Sequence, residues 1–298
     1  MELLHQFEVY LKSSDRVASA QFYCSDIKKF TAWFETRYGH FQPAAITPLD
    51  LVEYRSYLQS NGGRRTQAHP SSQPAAPATV NRALISLSIF CQWGQERGIM
   101  VTNPSQGIKP MAVEELAPHW LTRPQQAAFI RAVQTGKSLR DLAVCGLMLH
   151  AGLRVSEVCS LTRGDLVLRQ RSGSVLVRQG KGNKQRRVPL NVTIRQILLD
   201  YLVSFPESQQ VVFASDRAKH LTPRAVQHLV HRYAYKAHLE QVTPHTLRHS
   251  FCKNLVDVGV SLDKVALLAG HTSVDVTRRY TTPSEQDLQA AVERLAWE

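Results

Sequence analysis

Six side chains in the second half of this chain are of the kinds that can break a phosphodiester bond without a metal ion. A tyrosine can supply an oxygen nucleophile and hold the phosphate as an ester. Arginine presents a planar fork that matches two phosphate oxygens, and a basic side chain can protonate the departing sugar oxygen. In chain order the six residues are Arg154, Lys181, His245, Arg248, His271 and Tyr280.

Each of these residues also has an ordinary structural explanation. Tyr280 alone would be a surface or core tyrosine, and Lys181, in Gly-Lys-Gly, would be a solvated turn residue. His271 follows Gly270 and could cap a helix that ends at this glycine. The prediction of chemistry therefore depends on the residues occurring together and in this order.

A zinc site is a competing interpretation of the two histidines His245 and His249. They are four residues apart and share one face of a predicted helix. The metalloprotease motif requires Glu directly after the first histidine, and Thr246 stands there. The nearest candidates for a third ligand are His271 and Cys252. We expect no metal site and no cofactor.

The composition indicates a polyanionic partner. The formal net charge is +12 and the pI is near 9.7, which favours nucleic acid over an inert basic surface. Residues 113–298 carry +9 of this charge, and no acidic residue occurs between Asp165 and Asp200. A predicted hairpin lies in that stretch, so we expect it to follow a phosphate backbone. The candidate DNA-contacting residues there are Arg178, Lys184, Arg186 and Arg187.

The cysteines and the N-terminus indicate the compartment. The five cysteines are scattered without a CxxC pair, which is typical of buried thiols in a reducing environment. The N-terminus lacks the pattern of a signal peptide. The most apolar stretch, 142–153, is too short to span a bilayer. We therefore predict a soluble, cytoplasmic protein without a membrane partner.

The elements that must position the six residues are mainly helices. Aromatic residues at helical spacing predict a helical domain over residues 1–110, in which Thr47-Pro-Leu-Asp50 begins one helix. Residues 61–78 resemble a surface loop. A second domain is expected over residues 111–298, with a small antiparallel sheet among helices. Its predicted elements are helices at 122–135, 139–151 and 155–161, strands at 165–169, 174–179 and 185–190, later helix starts near 192, 221, 242 and 261, and a last amphipathic helix at 284–297.

Five segments together closely resemble motifs of the tyrosine recombinase (phage integrase) family. The first arginine lies in Ala-Gly-Leu-Arg-Val-Ser-Glu-Val-Cys-Ser-Leu (151–161) and the lysine in Gly-Lys-Gly-Asn-Lys-Gln-Arg-Arg-Val-Pro-Leu (180–190). The others are Pro-His-Thr-Leu-Arg-His-Ser-Phe (244–251), Leu-Ala-Gly-His-Thr-Ser (268–273) and Thr-Arg-Arg-Tyr (277–280). The resemblance covers almost the whole chain and is strongest to compact, Xer-like members. It implies a helical, SAM-like core-binding domain followed by an α+β catalytic domain.

The resemblance also implies a role for each residue. Tyr280 would attack the scissile phosphate and become joined to the 3′ end of the DNA. Arg154, Arg248 and His271 would stabilise the non-bridging oxygens. Lys181 would be the general acid, and His245 would be the base or the orienting partner of the tyrosine. Glu157 would support Arg154.

The implied function is site-specific recombination of duplex DNA through a Holliday junction, for integration, excision or resolution. The expected partners are DNA with inverted-repeat core sites and three further copies of the chain, which would form a homotetramer through exchange of the helix 284–297. A second recombinase or an accessory protein is a further possible partner. Two alternatives stay open, namely a type IB topoisomerase-like nicking-closing enzyme and a non-cutting DNA-binding accessory protein of the same fold.

Overall fold

The chain forms two compact units, Met1–Glu115 and Leu116–Glu298. The computed structural model describes residues 2–14, 16–62, 73–113, 118–178, 185–203, 209–214, 220–271, 273–281, 289 and 292–293. No helix in the described ranges is long and apolar enough to cross a membrane.

The first unit consists of helices around an aromatic core. Phe7, Phe30 and Phe90 are fully buried, and the ring of Tyr54 meets that of Phe30 edge-on with centroids 5.0 Å apart. The aromatic residues at helical spacing therefore form the core of this unit. The helices are α1 (Glu2–Lys12), α2 (Ala20–Tyr38), α3 (Pro48–Asn61) and α4 (Pro77–Glu96).

The start of α3 follows the sequence signal. The hydroxyl oxygen of Thr47 accepts a hydrogen bond from the Asp50 backbone N–H, and an Asp50 carboxylate oxygen accepts one from the Thr47 backbone N–H at 2.8 Å. This reciprocal pair satisfies two N–H groups at the helix start. Pro48, which has no N–H to satisfy, occupies the first helical position.

The second unit combines a three-stranded antiparallel sheet with helices. The strands are β1 (Leu166–Leu168), β2 (Gly173–Val177) and β3 (Arg186–Pro189), in the order β1-β2-β3. The helices are α5 (Arg123–Thr135), α6 (Leu139–His150), α7 (Val155–Cys159), α8 (Val192–Val203), α9 (Pro223–Lys236), α10 (Pro244–Asp257), α11 (Leu262–Ala269) and α12 (Asp275–Arg278). The predicted fold class, mainly α with a small antiparallel sheet, is confirmed.

Helix α6 is the centre of the second unit. Its residues Val144, Leu147 and Met148 are fully buried, and the helix packs on α5, α8 and α10. Gly146 allows α8 to approach closely, because a Cβ atom there would lie 2.8 Å from Ile194. Helix α6 thereby supports α10, which carries several of the candidate residues.

The observed elements agree with most of the predicted ones. Thr222 and Thr243 cap α9 and α10, each of which has proline at its first position. Helix α7 ends at Cys159 rather than at 161. The turn 180–184 lies outside the described residues, as does 284–297 apart from 289 and 292–293.

Candidate active site

Backbone carbonyl groups hold the two arginines in place. Arg248, on α10, is 4% exposed and donates hydrogen bonds to the carbonyl oxygens of Gly152 and Ala269. Arg154 precedes α7 and donates from Nη2 to the carbonyl oxygen of Gly270 at 2.5 Å. Both guanidinium groups therefore meet at the turns that follow α6 and α11.

Glycine is required at both turns. Gly152 and Gly270 have φ angles of +63° and +67°, in the left-handed region that other residues enter at a cost. A Cβ atom at Gly152 would lie 2.2 Å from the ring of Phe251, and one at Gly270 would lie 2.8 Å from the guanidinium of Arg186. The left-handed turns and these close contacts together present the carbonyl groups to the arginines.

Glu157 joins Arg154 to Arg186. Its carboxylate accepts hydrogen bonds from the backbone N–H and Nη1 of Arg154, both at 2.8 Å. It also accepts two from Arg186, at 2.9 and 2.8 Å. Burial alone would raise the pKa of Glu157, but the hydrogen bonds from Arg186 and from the Arg154 backbone lower this pKa to about 2. The carboxylate is thus charged at neutral pH and fully engaged.

The surroundings of Arg186 differ from those expected of a DNA-contacting residue. Its side chain is 8% exposed, and its Nε donates a 3.0 Å hydrogen bond to the carbonyl of Leu268 in α11. The fork of the guanidinium is occupied by Glu157. Arg186 therefore connects β3 to α7 and α11 inside the unit.

Tyr280 is enclosed by the protein. Its side chain is 1% exposed and belongs to a small core cluster with Phe251, Cys252 and Val265. Its hydroxyl oxygen lies 2.5 Å from Nδ1 of His249. Burial, followed by the neighbouring Cys252 thiol, raises the pKa of the phenol. The nucleophile candidate is therefore a neutral phenol in this state.

His271 is oriented by the helix that precedes the tyrosine. Its Nδ1 lies 2.8 Å from Oγ1 of Thr277, a fully buried residue of α12. The rings of His271 and Tyr280 are nearly parallel, at 10°, with centroids 6.2 Å apart. Burial, followed by the charges of Arg248 and Arg154, lowers the pKa of His271 to about 4. The imidazole is therefore neutral at physiological pH.

His245 lies farther from the tyrosine than its neighbour on α10. The centroid of its ring is 6.2 Å from that of His249, and the His249 ring is 5.7 Å from that of Tyr280. Burial, followed by the charge of Arg248, lowers the pKa of His245. His249 thus occupies the position beside the hydroxyl where His245 was expected.

The other candidate residues lie around the hairpin. Arg178 is half exposed and pairs with Asp165. Arg187 is exposed and donates a 3.1 Å hydrogen bond to the hydroxyl of Ser174. Lys181 and Lys184 lie outside the described residues. Within the described ranges no group of three or more His, Cys, Asp or Glu side chains is placed to hold a metal ion.

Sequence reasoning missed the contacts of three residues. The sequence suggests His249 only as a possible zinc ligand that shares a helix face with His245, and this shared face is the signal that could have identified it. Thr277 and the internal position of Arg186 gave no local signal, because their partners are 6 and 29 residues away. Together the described side chains place His249 and His271 beside one phenol and anchor two guanidinium groups on the carbonyls directly before His271, an arrangement suited to a phosphoryl group.

The chain is similar to known recombinases. Residues 119–287 match the Phage integrase family. A tyrosine recombinase XerA of Thermococcus kodakarensis is 34% identical over 246 residues, covering 82% of this chain and 84% of the relative. The TnP I resolvase of Bacillus thuringiensis is 28% identical over 304 residues, covering 99% of this chain and 100% of the relative.

A solved structure supports the fold. The crystal structure of the XerH site-specific recombinase bound to palindromic difH substrate, a post-cleavage complex, matches with a TM-score of 0.74 at 21% identity. The match covers 93% of this chain and 79% of that chain. The family model matches more than half of the chain, and XerA is similar over most of it. This chain therefore belongs to the phage integrase family and is a site-specific tyrosine recombinase.

Proposed function

We propose that Tyr280 is the nucleophile with which this recombinase cleaves and rejoins duplex DNA. The observation that carries the proposal is the convergence of the phenol with two anchored arginines and a neutral histidine. Tyr280 contacts the ring of His271, and the carbonyls that hold Arg154 and Arg248 include those of Gly270 and Ala269, directly before that histidine. A phosphate bound by both guanidinium groups would therefore lie near the phenol.

The proposed reaction exchanges one ester for another. The hydroxyl oxygen of Tyr280 attacks phosphorus, the bond to the 5′ oxygen breaks, and the tyrosine becomes joined to the 3′ end. Negative charge that develops on the non-bridging oxygens is stabilised by Arg154, Arg248 and His271. Because the ester is retained, a second 5′-hydroxyl can reseal the strand without ATP, and four such exchanges pass through a Holliday junction.

Lys181 is our candidate for the general acid of this reaction. An ammonium group can deliver the proton that the departing 5′ oxygen needs, and neighbouring positive charges would lower its pKa towards a useful range. Glu157 supports the reaction indirectly, since its four hydrogen bonds hold Arg154 and Arg186. His245 stays a candidate for orienting the tyrosine.

The proposed partner is double-stranded DNA with inverted-repeat core sites. The XerH neighbour is bound to its difH substrate, and the net charge of +12 suits a polyanionic partner. Arg178 and Arg187, at the exposed side of the hairpin, are the proposed phosphate contacts. The cytoplasmic location and the need for a second recombinase or an accessory protein stay predictions.

Strand exchange between two duplexes requires four protomers. We infer that the segment 284–297, with apolar residues Leu288, Val292 and Leu295, docks on a neighbouring copy and couples the sites. A chain ending at Thr281 should then bind a single site but fail to assemble two duplexes. Light scattering of the protein on DNA measures this, and an unchanged assembly would contradict the inference.

The competing function is that of a type IB topoisomerase, which uses the same chemistry without partner exchange. A plasmid carrying two candidate sites separates the two functions. A recombinase produces deletion or inversion products that depend on both sites, and Y280F should produce none. Relaxation of supercoils without recombinant products would favour the topoisomerase. Binding without cleavage by the unaltered chain would favour the accessory protein.

A further inference from the structure

The tyrosine hydroxyl has a histidine partner other than the expected one. Nδ1 of His249 lies 2.5 Å from the hydroxyl oxygen of Tyr280, with ring centroids 5.7 Å apart and planes inclined at 47°. His245, one turn earlier on α10, has its ring centroid 6.2 Å from that of His249. The contact joins residues 31 positions apart, so it depends on how α10 and the segment after α12 pack.

We propose that His249 is a catalytic residue, the group that accepts the hydroxyl proton of Tyr280 when the tyrosine attacks phosphorus. The proposal rests on the function proposed above. In the forward step the O–H bond of Tyr280 breaks, its proton passes to Nδ1 of His249, the tyrosine oxygen bonds to phosphorus, and the 5′ oxygen leaves with a proton from a separate acid. On religation the imidazolium returns its proton to the departing tyrosine.

The surroundings of His249 keep the imidazole ready to accept a proton. Charged and titratable neighbours face it from four segments: His245 and Arg248 on α10, Arg279 after α12, His119 before α5, and His271 after α11. Burial, followed by His245 and Arg248, lowers the pKa of His249 to about 4. The ring is therefore uncharged at neutral pH, and one of its two nitrogens is free to accept a proton.

The same surroundings make proton transfer from Tyr280 to His249 depend on bound DNA. Without DNA, proton transfer from the buried phenol is unfavourable, since the phenol pKa is raised and the imidazole pKa is lowered. A phosphate held by the arginines brings negative charge, which favours the imidazolium. Proton transfer is thereby coupled to substrate binding.

The alternative role for His249 is a hydrogen bond that only positions the phenol. Asparagine separates the two roles, because its amide can occupy the place of Nδ1 and accept a hydrogen bond but cannot take a proton at neutral pH. Exogenous imidazole offers a second distinction, since it can restore proton acceptance beside an alanine.

The test measures single-turnover formation of the covalent adduct by the full-length chain. The probe is a nicked duplex. It is selected from a randomised library by its ability to form a protein–DNA adduct that resists SDS. Rates are followed from about pH 4 to 9 for the unaltered chain, H249N, H249A, H245N and Y280F. H231N, at an exposed position of α9, is the matched control for replacing a histidine with asparagine.

If His249 accepts the proton, H249N slows adduct formation by about 10²–10⁴-fold at neutral pH. In the unaltered chain the rate falls towards acid pH because His249 becomes protonated. The rate of H249N should not show this fall. Imidazole partly restores the rate of H249A, while H231N behaves as the unaltered chain. An H249N rate and pH profile equal to those of the unaltered chain overturn the proposal, as does loss of the acid limb in H245N instead.

A measurement that needs no histidine variant applies if those variants fail to fold. In ¹⁵N-histidine-labelled protein, we expect one Nδ1 that is unprotonated and whose chemical shift changes in Y280F. A protonated Nδ1 beside Tyr280 would overturn the proposal. Adduct formation by Y280F would instead overturn the proposed function itself, so the two failures are distinguishable.

Discussion

At the residue scale, the site depends on charged groups that hold one another. Glu157 accepts hydrogen bonds from Arg154 and Arg186, and Arg154 reaches the carbonyl of Gly270. An arginine fixed in this way loses little freedom when it binds phosphate, so its hydrogen bonds are available to the transition state. We therefore propose that Arg186 is a positioning residue, which acts through Glu157 rather than on DNA.

Replacing Arg186 with lysine tests this role. R186K keeps the charge but loses the fork that engages Glu157, so Arg154 should be misplaced and adduct formation should fall by about 10²-fold. Affinity for DNA, measured by gel shift, should change little. The control R131K, at an exposed position of α5, should leave the rate nearly unchanged. A loss of affinity without a loss of rate in R186K would indicate a DNA contact.

The two half-buried histidines His249 and His271 predict how stability depends on pH. The pKa values of His249 and His271 are near 4, below the ordinary value of about 6.5. The unfolded chain therefore binds more protons, so stability is full above about pH 6.5 and falls as the pH drops towards 4. Urea unfolding should show this fall, and it should be smaller in the H249N/H271N double variant. A fall of equal size in that variant would contradict the assignment.

At the element scale, two left-handed turns carry the site. The turns after α6 and α11 present the carbonyl oxygens to which Arg248 and Arg154 donate hydrogen bonds. Gly152 and Gly270 allow the chain to take this path. The close packing of Phe251 against Gly152 then fixes α10 relative to α6.

Alanine substitutions at two glycines separate the cost of the left-handed backbone from the cost of close packing against it. G259A, at φ +81° with nothing within 4 Å of the added Cβ, should cost only the backbone strain of about 1–2 kcal/mol. G152A adds an overlap with Phe251 at 2.2 Å and shifts the carbonyl that holds Arg248. It should therefore lower the free energy of unfolding further and reduce adduct formation. Equal effects of the two variants on both measurements would contradict this account.

Local signals predicted the elements, whereas the site required contacts between distant residues. Thr47, Thr222 and Thr243 each precede a proline at a helix start, and each caps a helix as expected. The bidentate pair of Arg186 and Glu157 joins residues 29 positions apart. Its consequence, that Arg186 faces inward on a strand where Arg187 faces outward, depends on the register of β3 in the folded unit. The basic residues around β3 show no periodicity from which this register could be predicted.

At the scale of the whole molecule, charge is concentrated in one unit. Residues 1–115 carry 11 basic and 10 acidic side chains, a net of +1, and residues 116–298 carry 25 and 14, a net of +11. Each phosphate contact releases counterions, so the salt dependence of binding follows the number of contacts. The second unit should therefore carry most of that dependence.

Separate expression of the two units tests this distribution. The fragment 116–298 should lose DNA affinity with added salt nearly as steeply as the full chain, while 1–115 should lose it much less steeply. Fluorescence anisotropy across a salt series measures both slopes. A steeper slope for 1–115 would show that its few basic residues make most of the phosphate contacts.

The most direct test of the central claim is to identify the residue joined to DNA. The full-length chain is incubated with a nicked duplex that cannot religate, digested with protease and examined by mass spectrometry. We predict a 3′-phosphoryl nucleotide on the peptide containing Tyr280, a DNA product with a 5′-hydroxyl, and no adduct from Y280F. An adduct on another residue, attachment to the 5′ end, or an adduct that persists in Y280F would contradict the account.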